Sequence, residues 1–291
     1  MRSKLGTYGW AAGFMAVALA LTLFIASKQK VFVQEQGISS PDVGVSYVTF
    51  YFFGVVALMA VILFIIPLRW LNIVFRALFT FMYAWGFFIV ASLLIPGNND
   101  FVASLVVAVI AGASWLIISK VWLHNVVLLV TLAGVGSVFG FLFSPWTFMI
   151  FMGIIAVYDL LAVRFGLMVW MADKFSETTA LPAFIFPRKV RDWRLGLKTV
   201  NVGELQEKGK EEREFSILGG GDIGFPLMLT TAVYFDTGPG AAWLVGGFSL
   251  LGLMAAYLIQ AVWLKDKPMP ALPPIAAFSL IGLLIARAAF G

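Results

Sequence analysis

The chain has no cysteine and a single histidine, His124, and only 12% of its 291 residues are charged. Without thiols there is neither a disulfide nor a thiolate metal site, and the redox compartment is left unmarked. One imidazole leaves little for a His-based metal site or a Ser-His-Asp triad. Soluble domains carry roughly a quarter charged residues. About half that share, with 61% hydrophobic residues and a mean hydropathy of +0.96, cannot clothe a water-soluble globule of this size. A soluble enzyme, a nucleic-acid-binding domain and a disordered chain all fit poorly. The composition describes a polytopic membrane protein.

A helix needs about 20 mostly apolar residues to cross a hydrocarbon core of ~30 Å. Nine stretches qualify, at residues 7–27, 45–66, 70–95, 101–119, 121–143, 146–166, 215–234, 241–264 and 271–290. The expected fold is therefore all-α, with nine transmembrane helices. The first stretch lacks a small-residue cleavage site and leads into further spans, so it reads as a span and not as a removed signal peptide. Turn chemistry separates the spans at Pro67, Pro96-Gly97-Asn98-Asn99, Ser144-Pro145 and Thr237-Gly238-Pro239-Gly240. Only Lys120 and its neighbours divide the fourth span from the fifth. The chain thus falls into a six-span part (1–172), a loop (173–214) and a three-span part (215–291).

The distribution of cations sets the orientation. With nine spans, one side of the membrane receives 15 Lys and Arg residues, nine of them in the loop between spans six and seven. The other side has Lys28, Lys30 and Arg287, while Arg76 and Arg164 lie within spans. The N-terminus and the long loop are expected in the cytoplasm and the C-terminus outside. The loop pairs its nine cations with eight acids, so it is a solvated segment and not a nucleic-acid patch.

An intramembrane carboxylate is costly unless paired, protonated or hydrated, and so marks a functional site. Of the 15 acids, 13 fall in loops; the other two are Asp159 in the sixth span and Asp222 in the seventh. These spans are consecutive and antiparallel. If the sixth leaves the core near Arg164, whose long side chain can reach the interface, both acids lie roughly 10 Å deep. The apolar piece Leu167–Ala172 would then lie along the interface. Two facing carboxylates share a proton and titrate as one coupled system. One can take a proton from water while the other gives one to a carbonyl oxygen, which is amide hydrolysis without metal, cofactor or covalent intermediate. Such a pair equally suits a proton or cation site in a transporter, or a structural pair holding one proton.

Three local patterns bear on that choice. Asp222 follows Gly219-Gly220-Gly221, a G-x-G-D segment in which missing side chains let a substrate backbone or a water approach. The same glycines would also serve tight helix packing. Asp159 follows Tyr158, which could hydrogen-bond near the acids or simply pack. The last span opens Pro270-Ala271-Leu272-Pro273-Pro274, whose prolines delete backbone donors and prevent a regular helix start. Read alone, that segment is a rigid turn.

Together, Tyr158-Asp159, Gly219-x-Gly221-Asp222 and Pro270-Ala271-Leu272-Pro273 resemble the presenilin and signal-peptide-peptidase family of intramembrane aspartyl proteases. Their order, their spans and the long loop between the first two agree. The piece Tyr158-Asp159-Leu160-Leu161-Ala162-Val163 and the cytoplasmic N-terminus look presenilin-like, and the compact loops look like a microbial, archaeal-type homologue. The resemblance implies that Asp159 and Asp222 form the catalytic dyad, with no metal and no cofactor. It implies that Gly219, Gly221, Tyr158 and the segment Pro270, Ala271, Leu272, Pro273 bind the substrate, a transmembrane helix of another protein. The implied setting is a multi-pass protein of the cell membrane, in contact with the lipid bilayer and with no nucleic acid. Nothing in the sequence demands accessory subunits, and it is compatible with a homo-oligomer. An autocleavage site in the loop does not carry over, because no residue match fixes it.

Other polar residues receive plainer readings. His124 is expected at the interface, Arg164 as an anchor, and Leu181–Pro187 as a loop and not a flap. Asp236 falls at the outer end of the seventh span, ~21 Å from Asp222 along the helix, and is excluded from the site. Two rival functions remain: a prepilin-peptidase-like aspartyl protease, which explains the G-x-G-D segment alone, and a proton- or cation-coupled transporter using the same carboxylates.

Overall fold

The computed structural model describes residues 2–41, 43–65, 67–95, 100–165, 181–197, 215–262 and 270–291. Among these are nine long helices: α1 (Arg2–Glu35), α2 (Val45–Ile65), α3 (Leu68–Leu94), α4 (Asp100–Ile117), α5 (Val121–Leu142), α6 (Pro145–Arg164), α7 (Gly220–Asp236), α8 (Pro239–Val262) and α9 (Leu272–Phe290). Two short strands, β1 (Ala183–Pro187) and β2 (Phe215–Gly219), pair antiparallel, and a 3-10 turn covers Val190–Arg194. The helix ends follow the local chemistry. Pro145 occupies the first turn of α6, and the Ser144 hydroxyl caps it by accepting from the Thr147 N–H at 3.2 Å. The break at Lys120 is held by its bridge to Gly196. The expected interfacial piece Leu167–Ala172 and most of the long loop lie outside the described residues.

Eight of the nine helices are long and apolar enough to cross a membrane. The exception is α7, whose 17 residues span only about 25 Å at 1.5 Å per residue. The stretch expected as one span at 215–234 divides here. Phe215–Gly219 is strand and the helix starts at Gly220, so Asp222 stands in the opening turn and not deep in a span. Glycine's weak helix propensity makes the triplet a natural point for the change. The expected all-helical architecture holds with this short sheet added to it, and the loop expected at Leu181–Pro187 is corrected: its last five residues are β1.

At the centre of the bundle is α5, which touches neighbours through small residues. A Cβ on Gly134 would lie 2.9 Å from the Gly86 carbonyl oxygen of α3, and one on Gly140 would lie 2.7 Å from the Met228 carbonyl oxygen of α7. Backbones approach this closely only without side chains, the usual packing device of membrane helices. On the far side of α7, α8 and α9 close on each other through Gly252 and through a buried Ser249–Ser279 hydroxyl pair at 2.7 Å. By contrast, α2 has none of its apolar window buried and meets α6 through aromatic edges, Phe52–Phe151 at 5.4 Å and Phe53–Tyr158 at 5.6 Å.

The sheet is wedged between helices. Alternation along β1 turns Phe184 and Phe186 toward α1, where Phe14 meets them at 6.0 and 5.3 Å and stacks on Trp193 at 5.5 Å. On the opposite face Ile185 joins Val121, Leu197 and Phe215 in a buried cluster. The pairing Ala183↔Gly219 through Pro187↔Phe215 then delivers the chain directly into α7.

Candidate active site

Asp222 is oriented by the start of its own helix. Gly219 is the N-cap residue of α7 and Asp222 stands three residues on, so its carboxylate accepts the Gly219 N–H. An acid reaching back to the cap N–H is half of a capping box. A Cβ on Gly219 would lie 3.0 Å from Asp222 Oδ2, so the cap position leaves little room beside the carboxylate. One turn later Pro226 stands inside α7. It has no N–H to return to the Asp222 carbonyl, so that carbonyl lacks its usual helical partner.

Asp159 projects from the closing turns of α6, which packs on α7. It lies within electrostatic reach of Asp222, and both residues are half-buried. The two acids singled out in the sequence are therefore brought together by adjacent helices. A third group joins them from α8: Tyr257 lies within electrostatic reach of Asp222, and its buried hydroxyl has no hydrogen-bond partner among the described residues. The Tyr257 ring stacks on Tyr8 of α1, with centroids 4.5 Å apart. The sequence reading missed Tyr257; its phenol two-thirds of the way along an apolar span was the available signal.

The Pro270–Pro273 segment lies against the same helices. Ala271 packs on the cluster containing Leu218 and Ile223, while Leu272, 2% exposed, belongs to the cluster containing Phe151, Ile155 and Leu229. Pro270 is buried, and Pro273 is half-buried in the first turn of α9. The Leu272 side chain is thus core, and what it can offer a substrate is backbone. Gly221 is exposed beside the Phe225 ring. The Tyr158 ring turns toward Phe53 of α2, which is the packing alternative noted from the sequence.

Two expectations about polar residues resolve differently. His124 is not interfacial: it is fully buried, with Nε2 2.9 Å from the Ala183 carbonyl and Nδ1 accepting from Trp115 Nε1 at 3.2 Å. The ring is buried because strand β1 covers it. Asp236 pairs with Arg287 at 2.8 Å, at the opposite end of α7 from Asp222.

Residues 12–291 match the family described as signal-peptide peptidase, presenilin aspartyl protease. No curated protein matches the chain. Among solved structures it is similar to a presenilin family intramembrane aspartate protease in space group C222, with TM-score 0.60, 17% identity and 95% of each chain covered. A second structure so described, in space group P2, gives TM-score 0.58, 20% identity and coverage of 94% of this chain and 96% of that one. At these identities the structures show the fold, and the family match carries the assignment. It also decides against the prepilin-peptidase rival. The chain belongs to the signal-peptide peptidase and presenilin family of aspartyl proteases.

Proposed function

We propose that this protein is an intramembrane aspartyl endopeptidase that hydrolyses peptide bonds within transmembrane segments of other proteins, with Asp159 and Asp222 as its dyad. The observation that carries the reading is that these two acids lie within electrostatic reach of each other, near the end of α6 and the start of α7, in a chain of this family. With one proton between them, the ionised carboxylate takes a proton from water as its oxygen attacks the scissile carbonyl carbon. The protonated partner gives its proton to the carbonyl oxygen, leaving a neutral gem-diol. The pair still holds one proton, now on the opposite acid. In collapse that acid protonates the amide nitrogen, the other takes a proton from a gem-diol hydroxyl, and the C–N bond breaks, which restores the starting arrangement.

A helical substrate satisfies its own backbone and must unwind before water can reach its carbonyl. The outer edge of β2 suits the unwound strand. One edge of β1 is taken by β2 and the other by α5 side chains, so within the described sheet the free ladder edge belongs to β2, beside Ile217, 37% exposed. An extended segment added there would lead toward Asp222. Gly219, Gly221 and the backbone of Pro270–Pro273 border this path. By the cation distribution, the end bearing the dyad faces the cytoplasm; the multi-pass helices suit residence in the cell membrane.

The test is to offer the purified chain a single-span substrate in detergent. The expected result is two products whose new termini lie inside the span. Proton or cation flux in vesicles without cleavage would replace the protease reading with the transporter.

A further inference from the structure

Polar side chains inside a membrane bundle are kept where they bond to something. Neighbouring His124 and Asn125 near the start of α5 are both completely buried. Asn125 Nδ2 donates to the Ile185 carbonyl at 2.7 Å, and Asn125 Oδ1 accepts the Ile185 N–H at 3.0 Å. One side-chain amide therefore makes the pair of bonds that a residue of a neighbouring strand would make. His124 adds a third. Its Nδ1 accepts from Trp115, which leaves the ring proton on Nε2 to donate to the Ala183 carbonyl. On the other side of β1, the Pro182 carbonyl accepts the Gly220 N–H at 2.8 Å. The strand is thus gripped along both edges, by α5 and by the β2–α7 junction.

We propose that Asn125 is a positioning residue that sets where the substrate is cut, by holding Ile185 and, through the Ile185↔Ile217 pairing, the free edge of β2 relative to Asp222. This rests on the protease reading and on strand addition at β2. A strand presents alternate residues to opposite faces, so a small displacement of that edge changes which peptide bond reaches the dyad. Asn125 touches neither acid, and its effect is transmitted through the strands. A residue that merely supported the fold would alter how much protein is active, and not the choice of bond.

The experiment maps product termini by mass spectrometry, using the full chain and a single-span substrate. Asn125→Gln keeps both amide groups on a longer stem, and Asn125→Leu removes them. Ser249→Ala, which breaks a buried pair between α8 and α9 that does not involve the sheet, controls for stability alone. In the two Asn125 variants the ratio of the leading products is expected to change by about tenfold, the scale of one buried hydrogen bond. Ser249→Ala is expected to lower thermal stability with the ratio intact. A folded, active Asn125→Gln protein with the original ratio overturns the proposal. Failure of Asn125→Gln to fold also overturns it, because Asn125 is then a folding anchor, and this variant decides if Asn125→Leu does not fold. Cleavage that survives Asp222→Ala contradicts the protease reading itself, an outcome distinct from either.

Discussion

Asp159 and Asp222 lie within electrostatic reach of each other: one acid stands in the closing turns of α6, the other in the opening turn of α7, which packs on it. Antiparallel packing then sets both at one end of the bundle, and the charge of the first acts on the second. A pair that works with one shared proton is inactive when it holds two or none. The dependence of kcat/KM on pH is expected to be bell-shaped, with one proton lost on each limb. Initial rates in buffered detergent check this, and a profile with a single limb contradicts it.

Gly219 and Gly220 separate activity from stability. Gly219 has an extended backbone with φ −56° and ψ 138°, which alanine adopts freely. Its added methyl would press on Asp222 Oδ2 at 3.0 Å. Gly219→Ala is expected to lower kcat/KM by at least about tenfold through misplacement of the carboxylate, with little change in melting temperature. In Gly220→Ala the methyl would lie 2.9 Å from the Pro182 carbonyl oxygen, so the strand–helix junction has to open. The expected cost is about 1–3 kcal/mol of stability, measured by thermal or denaturant unfolding.

Tyr257→Phe removes a buried hydroxyl that has no partner among the described residues. Deleting an unsatisfied group leaves stability equal or higher, whereas losing a polar group within electrostatic reach of Asp222 is expected to lower kcat by roughly three- to tenfold. A variant both more stable and slower is the expected outcome. Unchanged kcat would place Tyr257 in the packing against Tyr8 alone.

Asp236 and Arg287 test the exclusion of the third acid near these helices. Their ion pair is about a third exposed on each side, so Asp236→Asn is expected to cost no more than ~1 kcal/mol. Cleavage by this variant should match the parent chain in rate and position.

Much of the architecture is legible in the sequence, since apolar runs bounded by Pro67, Lys120 and Ser144-Pro145 mark helices whose ends depend on local chemistry. Asp159 and Asp222 stand out for the same reason, as acids where hydrocarbon is expected. The strand at Phe215–Gly219 was hidden because five apolar residues continuous with a helical run fit either periodicity. His124 and Asn125 were misread or passed over because their partners, Ala183 and Ile185, lie 59 and 60 residues away. No local pattern reports such a contact. The pairing of β1 with β2 is likewise a long-range choice, and with it went the strand edge on which the proposed substrate path rests.

The most direct test of the proposed dyad replaces each acid by its amide. Asp159→Asn and Asp222→Asn keep the shape of the side chains but cannot exchange a proton with water or substrate at these positions. Each purified variant, verified as folded by its elution and melting profile, is incubated with the single-span substrate and its products are measured. The prediction is loss of cleavage by a factor of about a thousand or more in either variant. Cleavage at the parent rate in either one would contradict the account.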